Sequence, residues 1–127
     1  MKLKYSLIIT FLLCFLYGCK GDRKEEDIRT QLMGRWQIYD ATRNQKPTTT
    51  LKDGFMTFLE SDTLVTNILG DTTHSPFAIK EQTLESYGDF NFQFKINQLS
   101  GDSLILSGRM RVFDMVFYLV KDKDDKL

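Results

Sequence analysis

The chain offers little of the usual catalytic chemistry, and what it offers is scattered. His74 is the only histidine among 127 residues. A zinc site needs three or four His, Cys or carboxylate ligands, and no second imidazole accompanies this one. A Ser-His-Asp arrangement would require His74 as its base, yet no Gly-x-Ser-x-Gly elbow occurs and Pro76 follows closely. Glu60, Glu81, Glu85 and Asp89 could in principle supply a carboxylate pair for glycoside hydrolysis. No spacing between them brings any two together. Gly70-Asp71 and Gly101-Asp102 read as turns and lack the glycine pattern that cradles phosphates. The tail Lys121-Asp122-Lys123-Asp124-Asp125-Lys126 lacks the glycine and glutamate of a calcium loop. No catalytic residue, metal ligand or cofactor site is expected, and the chain is not read as an enzyme.

One thiol is placed for chemistry of another kind. Lys2 and Lys4 precede an apolar run from Tyr5 to Leu16, and the run closes on Leu16-Tyr17-Gly18-Cys19. A basic start, a short apolar core and a small residue before a cut are the three parts of a secretory signal. The run is too short to span about 30 Å of hydrocarbon, which takes about 20 apolar residues. The segment resembles a bacterial lipoprotein signal peptide, which implies removal of residues 1–18 and acylation of the Cys19 thiol. Two or more acyl chains would hold the protein firmly on a membrane, whereas one holds marginally. Lys20 stands directly after Cys19 where an aspartate would imply inner-membrane retention, so the resemblance points to the outer membrane, at its periplasmic face or at the cell surface. The other cysteine, Cys14, lies inside the run to be removed. The mature domain then holds no thiol and no disulfide, although its compartment would permit one.

Loss of residues 1–18 takes Lys2 and Lys4 from the 17 basic residues, leaving 15 against 17 acidic ones, a net of −2. Without a basic surplus to neutralise a phosphate backbone, nucleic acid is not an expected partner. From Gly21 to Asp27 the chain is charged at almost every position, which suggests a solvated tether over 19–29. Ile28, Leu32 and Met33 suggest a short helix after it. From Gly34 the apolar period changes to two, the signature of strands. Strands are expected near 34–42, 54–60, 63–69, 73–80, 82–87, 90–99, 103–110 and 113–121, parted by Asp-Gly, Ser-Asp and Gly-Asp turns. Ser107-Gly108 is open to reading as a bulge or a turn. The clearest register is Phe90 to Asn97: Phe90, Phe92, Phe94 and Ile96 share one face, and Asn91, Gln93, Lys95 and Asn97 the other. One buried and one wet face imply an antiparallel sheet, closed as a barrel or paired as a sandwich. The fold class is all-β.

At Gly34-Arg35-Trp36, Phe55-Met56-Thr57-Phe58, Asp102-Ser103-Leu104-Ile105-Leu106 and Phe117-Tyr118-Leu119-Val120-Lys121, the chain resembles the short lipocalin-like lipoproteins of Gram-negative bacteria over residues 30–121. The resemblance implies a small up-and-down antiparallel barrel of about eight strands, with a charged tail at 122–127. It implies that Gly34 and Trp36 form the barrel base, with an arginine from the last strands, Arg109 or Arg111, over the indole. The polar segment Asn44–Thr50 would lie across the mouth. Eight strands enclose either side chains alone or one small ligand. Phe58, Phe92, Phe94 and Phe117 are the candidates to line such a site. Two roles stay open: a lipid-anchored protein binding a small apolar ligand, or a non-catalytic module with a filled core that contacts an envelope protein.

The anchor is testable directly. Cys19→Ser is expected to leave an unprocessed, unacylated precursor, because the thiol is the chemical acceptor in this motif. Metabolic labelling with an alkyne fatty acid reads the outcome, and equal labelling of the two chains would remove the lipoprotein reading.

Overall fold

The computed structural model describes residues 20–123, with side chains from Lys24 onward. The signal-like segment, Cys19 and the last four residues lie outside the described residues. Helix α1 (Lys20–Leu32) leads into nine strands: β1 (Gly34–Arg43), β2 (Lys46–Pro47), β3 (Phe55–Leu59), β4 (Thr63–Thr66), β5 (Thr73–Lys80), β6 (Thr83–Ser86), β7 (Gln93–Ser100), β8 (Ser103–Met110) and β9 (Phe113–Lys121). All pairings are antiparallel between neighbours, and β1 also pairs with β9. That last pairing closes an eight-strand barrel, with the two-residue β2 attached to the upper end of β1. The fold is thus the small all-β, lipocalin-like barrel. Among the described residues no helix is long and apolar enough to cross a membrane.

All eight expected strands occur, with shifted ends. Asn44 and Gln45 both adopt positive φ (51° and 65°) and form a two-residue turn of the kind that matches strand twist. The polar segment after β1 is therefore partly the hairpin to β2 rather than a plain connection. Ser107-Gly108 is neither bulge nor turn, and β8 runs through it to Met110, paired with β9. Glycine is needed at 108 because a Cβ there would meet the Gln93 carbonyl at 2.4 Å and the Phe94 ring at 2.6 Å.

The expected tether is a helix from Lys20 onward. Its charged residues include good helix formers, Lys, Arg and Glu, and its spacing gives it a reason to dock. Leu32 is buried, and Glu25, Ile28 and Arg29 are partly buried on the same side, the i, i+3, i+4, i+7 pattern of one helical face. Charge alternation concealed this face, because two of its four members are ionic. Their tips bond the barrel turns instead of water. Arg29 Nε donates to Asp62 Oδ1 (2.6 Å), its Nη2 donates to the Glu60 carbonyl (2.7 Å), and the Glu81 amide donates to Glu25 Oε1 (3.1 Å). The Asp62 bond holds the Arg29 guanidinium above its ordinary pKa. Helix α1 thus lies across one end of the barrel, the end carrying the β3–β4, β5–β6 and β7–β8 turns.

Inward residues alternate along every long strand, and two bulges preserve that alternation. Register shifts between Ile38 and Asp40 and between Ile96 and Gln98. At the first, Tyr39 and Asp40 both face out while Ile38 and Ala41 stay buried. Each extra residue sharpens the local bend, as closure of a narrow barrel requires. In β7, Phe94 is fully buried and Ile96 nearly so, while Gln93 and Lys95 are exposed. Phe94→Ala is expected to cost about 3–5 kcal/mol, the range for buried aromatic truncations. Gln93→Ala should stay within about 0.5 kcal/mol of the parent. Urea melts decide this, and a greater loss at Gln93 would reverse the register.

Candidate functional site

The two ends of the barrel differ, and each answers a different part of the functional question. At the base, Gly34 turns the chain from α1 into β1 with φ +109°, a conformation L side chains rarely adopt. A Cβ at Gly34 would also stand 3.0 Å from Lys121 Cε. Trp36 follows, fully buried, its indole N–H donating to the Leu32 carbonyl at 2.8 Å. The register places Lys121 of β9 directly opposite Trp36. The Lys121 ammonium sits 4.8 Å from the indole centroid and donates to the carbonyls of Met33 and, at 3.4 Å, Gln31. One cation thereby covers the indole and caps the end of the helix, where the helix dipole favours positive charge. Burial pushes the Lys121 ammonium below its ordinary pKa, with Asp102 acting in the opposite sense.

The cation over Trp36 is therefore a lysine and not an arginine. Arg109 and Arg111 are exposed at the far end of β8 and in the β8–β9 turn, near the mouth. β8 runs from base to mouth, so residues after its midpoint cannot return to the indole. The signal for Lys121 was its place as the last residue of the final strand, in register with the first turn of β1.

The interior between the ends is occupied by the chain's own side chains. Phe58, Phe94 and Phe117 are fully buried. Phe94 packs edge-on to Phe117 (centroids 5.5 Å apart) and Phe58 edge-on to Phe77 (5.3 Å), geometries that aromatic quadrupoles favour. Phe92 is partly buried and stands against Phe94 and, at 4.6 Å, against Phe90. The four residues expected to line a ligand site thus take part in the barrel's own aromatic packing. Phe90, fully buried in the β6–β7 loop, closes the barrel from the mouth side. Inward hydroxyls pin that loop: Phe90 N donates to Ser75 Oγ (3.0 Å) and Phe92 N to Ser86 Oγ (3.2 Å).

A polar groove of about 700 Å³ runs at the base between α1 and the β5–β6 turn, lined by Lys24, Glu25, Glu81 and Lys95. The clefts with apolar walls lie toward the mouth. Segment 48–54 folds back along β1, tied by Thr48 N to the Ala41 carbonyl (3.0 Å), Ile38 N to the Gly54 carbonyl (2.9 Å) and Asn67 Nδ2 to the Asp53 carbonyl (3.1 Å). It leaves a flank cleft of about 180 Å³ beside Ile38, Tyr39 and Leu51. A second cleft of about 240 Å³ opens at the rim, floored by Met115 and Ile68 and edged by Arg43 and Arg111.

The other chemistry-bearing residues stay apart. His74 is exposed on the outer face of β5, opposite Val65 of β4. Glu60 and Glu81 lie in turns at the base, Asp89 in the β6–β7 loop. Glu85 accepts from the Tyr87 hydroxyl (2.6 Å), which raises the Tyr87 pKa, and pairs with Lys80 (3.6 Å). Among the described residues no three His, Cys, Asp or Glu side chains gather where they could hold a metal ion.

Fold and ends together define a small antiparallel barrel, plugged at its base, with an aromatic interior and an open rim. Comparison with family models, with curated proteins and with solved structures returns no match.

The base is open to a direct test. Lys121→Met keeps the aliphatic stem over Trp36 and removes the charged donor. It is expected to cost about 1.5 kcal/mol, the lower end for hydrogen bonds to charged groups, because the amine is partly solvated. Urea melts followed by the emission of Trp36, the sole tryptophan, measure it. A variant as stable as the parent would leave the cap without energetic weight.

Proposed function

We propose that this chain is a lipid-anchored, non-catalytic lipocalin-like module of the cell envelope, and that it engages a small, largely apolar molecule at the rim of its barrel rather than inside it. The observation that carries this reading is the pairing of a packed interior with clefts confined to the barrel surface and rim. Eight strands leave room for side chains or for one ligand, and here Phe58, Phe94 and Phe117 occupy that space. The rim cleft retains an apolar floor within reach of solvent, the arrangement typical of small-molecule sites. The anchor at Cys19 is part of the same proposal and rests on the Leu16–Cys19 motif. Scattered carboxylates and a single exposed imidazole support a role in binding rather than turnover.

A second reading has its own observation. Tyr39 is 62% exposed on β1 and stands 6.3 Å from Tyr118 on β9, where Val120 is also 40% exposed. Aromatic side chains on an outer sheet face suit contact with an envelope protein, since such residues dominate interface energetics.

Native mass spectrometry of the full chain extracted from its own host separates the two. A small molecule that co-purifies with the parent, and is lost on Leu51→Asp at the rim, is the expected result. An empty protein bound to a second envelope protein, with binding lost on Tyr39→Ala, would favour the outer face and set aside the rim.

A further inference from the structure

The rim cleft has a charge pattern that narrows its ligand. Its floor is apolar, with Met115 and Ile68 almost fully buried and Leu51, Met110 and Phe113 around them. Its charged members are Arg43 and Arg111, and no carboxylate lines it. An adjoining cleft shares Arg43, Thr48 and Phe113 and adds Lys46, again without a carboxylate. Two cations therefore edge an apolar floor, with a third, Lys46, in the adjoining cleft, in a chain whose basic and acidic residues are equal in number.

The two guanidinium groups are held differently. Arg43 lies 4.8 Å from the Phe113 ring centroid. Beneath it, Asn44 N donates to the Asp114 carbonyl (2.8 Å) and Asp114 N donates to Asn44 Oδ1 (2.9 Å). This reciprocal clamp joins the β1–β2 turn to the start of β9 and keeps Arg43 beside its aromatic support. Arg111 projects from the β8–β9 turn at φ +58°, a left-handed position where glycine or asparagine is the usual occupant. Neither makes an ion pair with any described residue, so both present planar donor forks suited to a carboxylate or a phosphate.

We infer that the rim cleft takes a single-chain anionic amphiphile, its acid group on Arg43 and Arg111 and the start of its alkyl chain on Met115, Ile68 and Leu51. The inference rests on the reading of the rim as the binding end. A volume of about 240 Å³ falls below the roughly 300–1,000 Å³ of sites that enclose a drug-sized ligand, so the tail must leave the cleft. Leu69, 37% exposed, and Val112, 70% exposed, extend the apolar surface along its way out. A neutral apolar molecule would gain nothing from the two cations, and a bare inorganic anion nothing from the floor.

Five methionines, Met1, Met33, Met56, Met110 and Met115, make the test site-specific. The full chain, methyl-labelled at methionine and held in phosphatidylcholine nanodiscs, is titrated with octanoate, 1-octanol and inorganic phosphate by NMR, with empty discs as the blank. Octanoate is expected to move the Met110 and Met115 methyl signals and leave Met33, at the base, in place. Arg43→Gln and Arg111→Gln should each weaken octanoate about tenfold, the loss of one charge-assisted hydrogen bond. Arg43→Lys should recover part of that loss. Because Arg111 lies in an exposed turn, its variant keeps the test valid if Arg43→Gln perturbs the packing on Phe113. Octanol binding as tightly as octanoate, indifferent to both arginines, would overturn the anionic class while sparing the rim as the binding end. Phosphate matching octanoate would overturn the need for an alkyl chain. Silence at Met110 and Met115 with all three probes would overturn both the inference and the rim reading.

Discussion

Close packing inside a narrow, closed sheet is the constraint on which the rest of the structure depends. With eight strands the enclosed space is about one layer of large side chains wide. Aromatic rings from β3, β5, β7 and β9 meet there, and the ends must then be sealed by side chains that are not part of the ladder. Trp36 and α1 seal one end; Phe90 and the β6–β7 loop seal the other. The inward hydroxyls near the mouth follow the same logic. Thr66, Ser75 and Ser86 are buried, yet each meets a backbone group of a neighbouring segment, so none carries the penalty of an unpaired polar atom. Sealing also displaces recognition outward, because what remains concave lies at the rim, on the flanks and in the polar groove beside α1.

At the base, one side chain satisfies several demands at once. The helix ends with carbonyls that need donors, the indole needs an occupied face, and the β1–β9 seam needs its base end held. Lys121 meets all three from the last residue of the final strand. Gly34 makes the approach possible, since a side chain there would stand against the lysine stem. The helix adds ionic contacts to the barrel turns through Arg29 and Glu25. Their exposure keeps each one weak, so the docking of α1 depends mainly on Leu32, Ile28 and the capped end.

Periodicity in the sequence was enough to place the strands, because alternation survives wherever one face is buried. Phe94 and Ile96 against Gln93 and Lys95 is such a case. It failed where backbone geometry outweighs pattern. The bulge at Tyr39 and Asp40 puts two consecutive residues outside, and a strict period of two cannot express that. Phe90 and Phe92 follow the alternation yet precede β7, since their amides bond Ser75 and Ser86 instead of continuing the strand. The full length of the helix is hidden in the sequence because its docking face contains Glu25 and Arg29, which read as solvated charges until their partners on distant turns are known. The base tryptophan was legible from Gly34-Arg35-Trp36. Its cation was not, because the choice among Lys121, Arg109 and Arg111 depends on which end of β8 and β9 meets the start of β1. The rim cleft had no local signal at all: its residues come from β1, the 48–54 segment, the β4–β5 loop and the last hairpin.

The seam between β1 and β9 also sets an order of events. Its partners are separated by most of the chain, from Trp36↔Lys121 to Arg43↔Met115. Every other barrel ladder joins strands adjacent along the chain or, for β1 and β3, nearly so. A chain emerging from its N-terminus can therefore zip its hairpins one after another as a growing ribbon, but the upper edge of β1 lacks its main partner until β9 arrives. Closing so long a loop is the slow kind of contact, and an open strand edge invites pairing with other chains. The indole, the helix end and the aromatic interior are all completed by that same final strand. Loss of the last few residues of β9 would thus act on the whole molecule, since it removes the closing stitch and the lysine together.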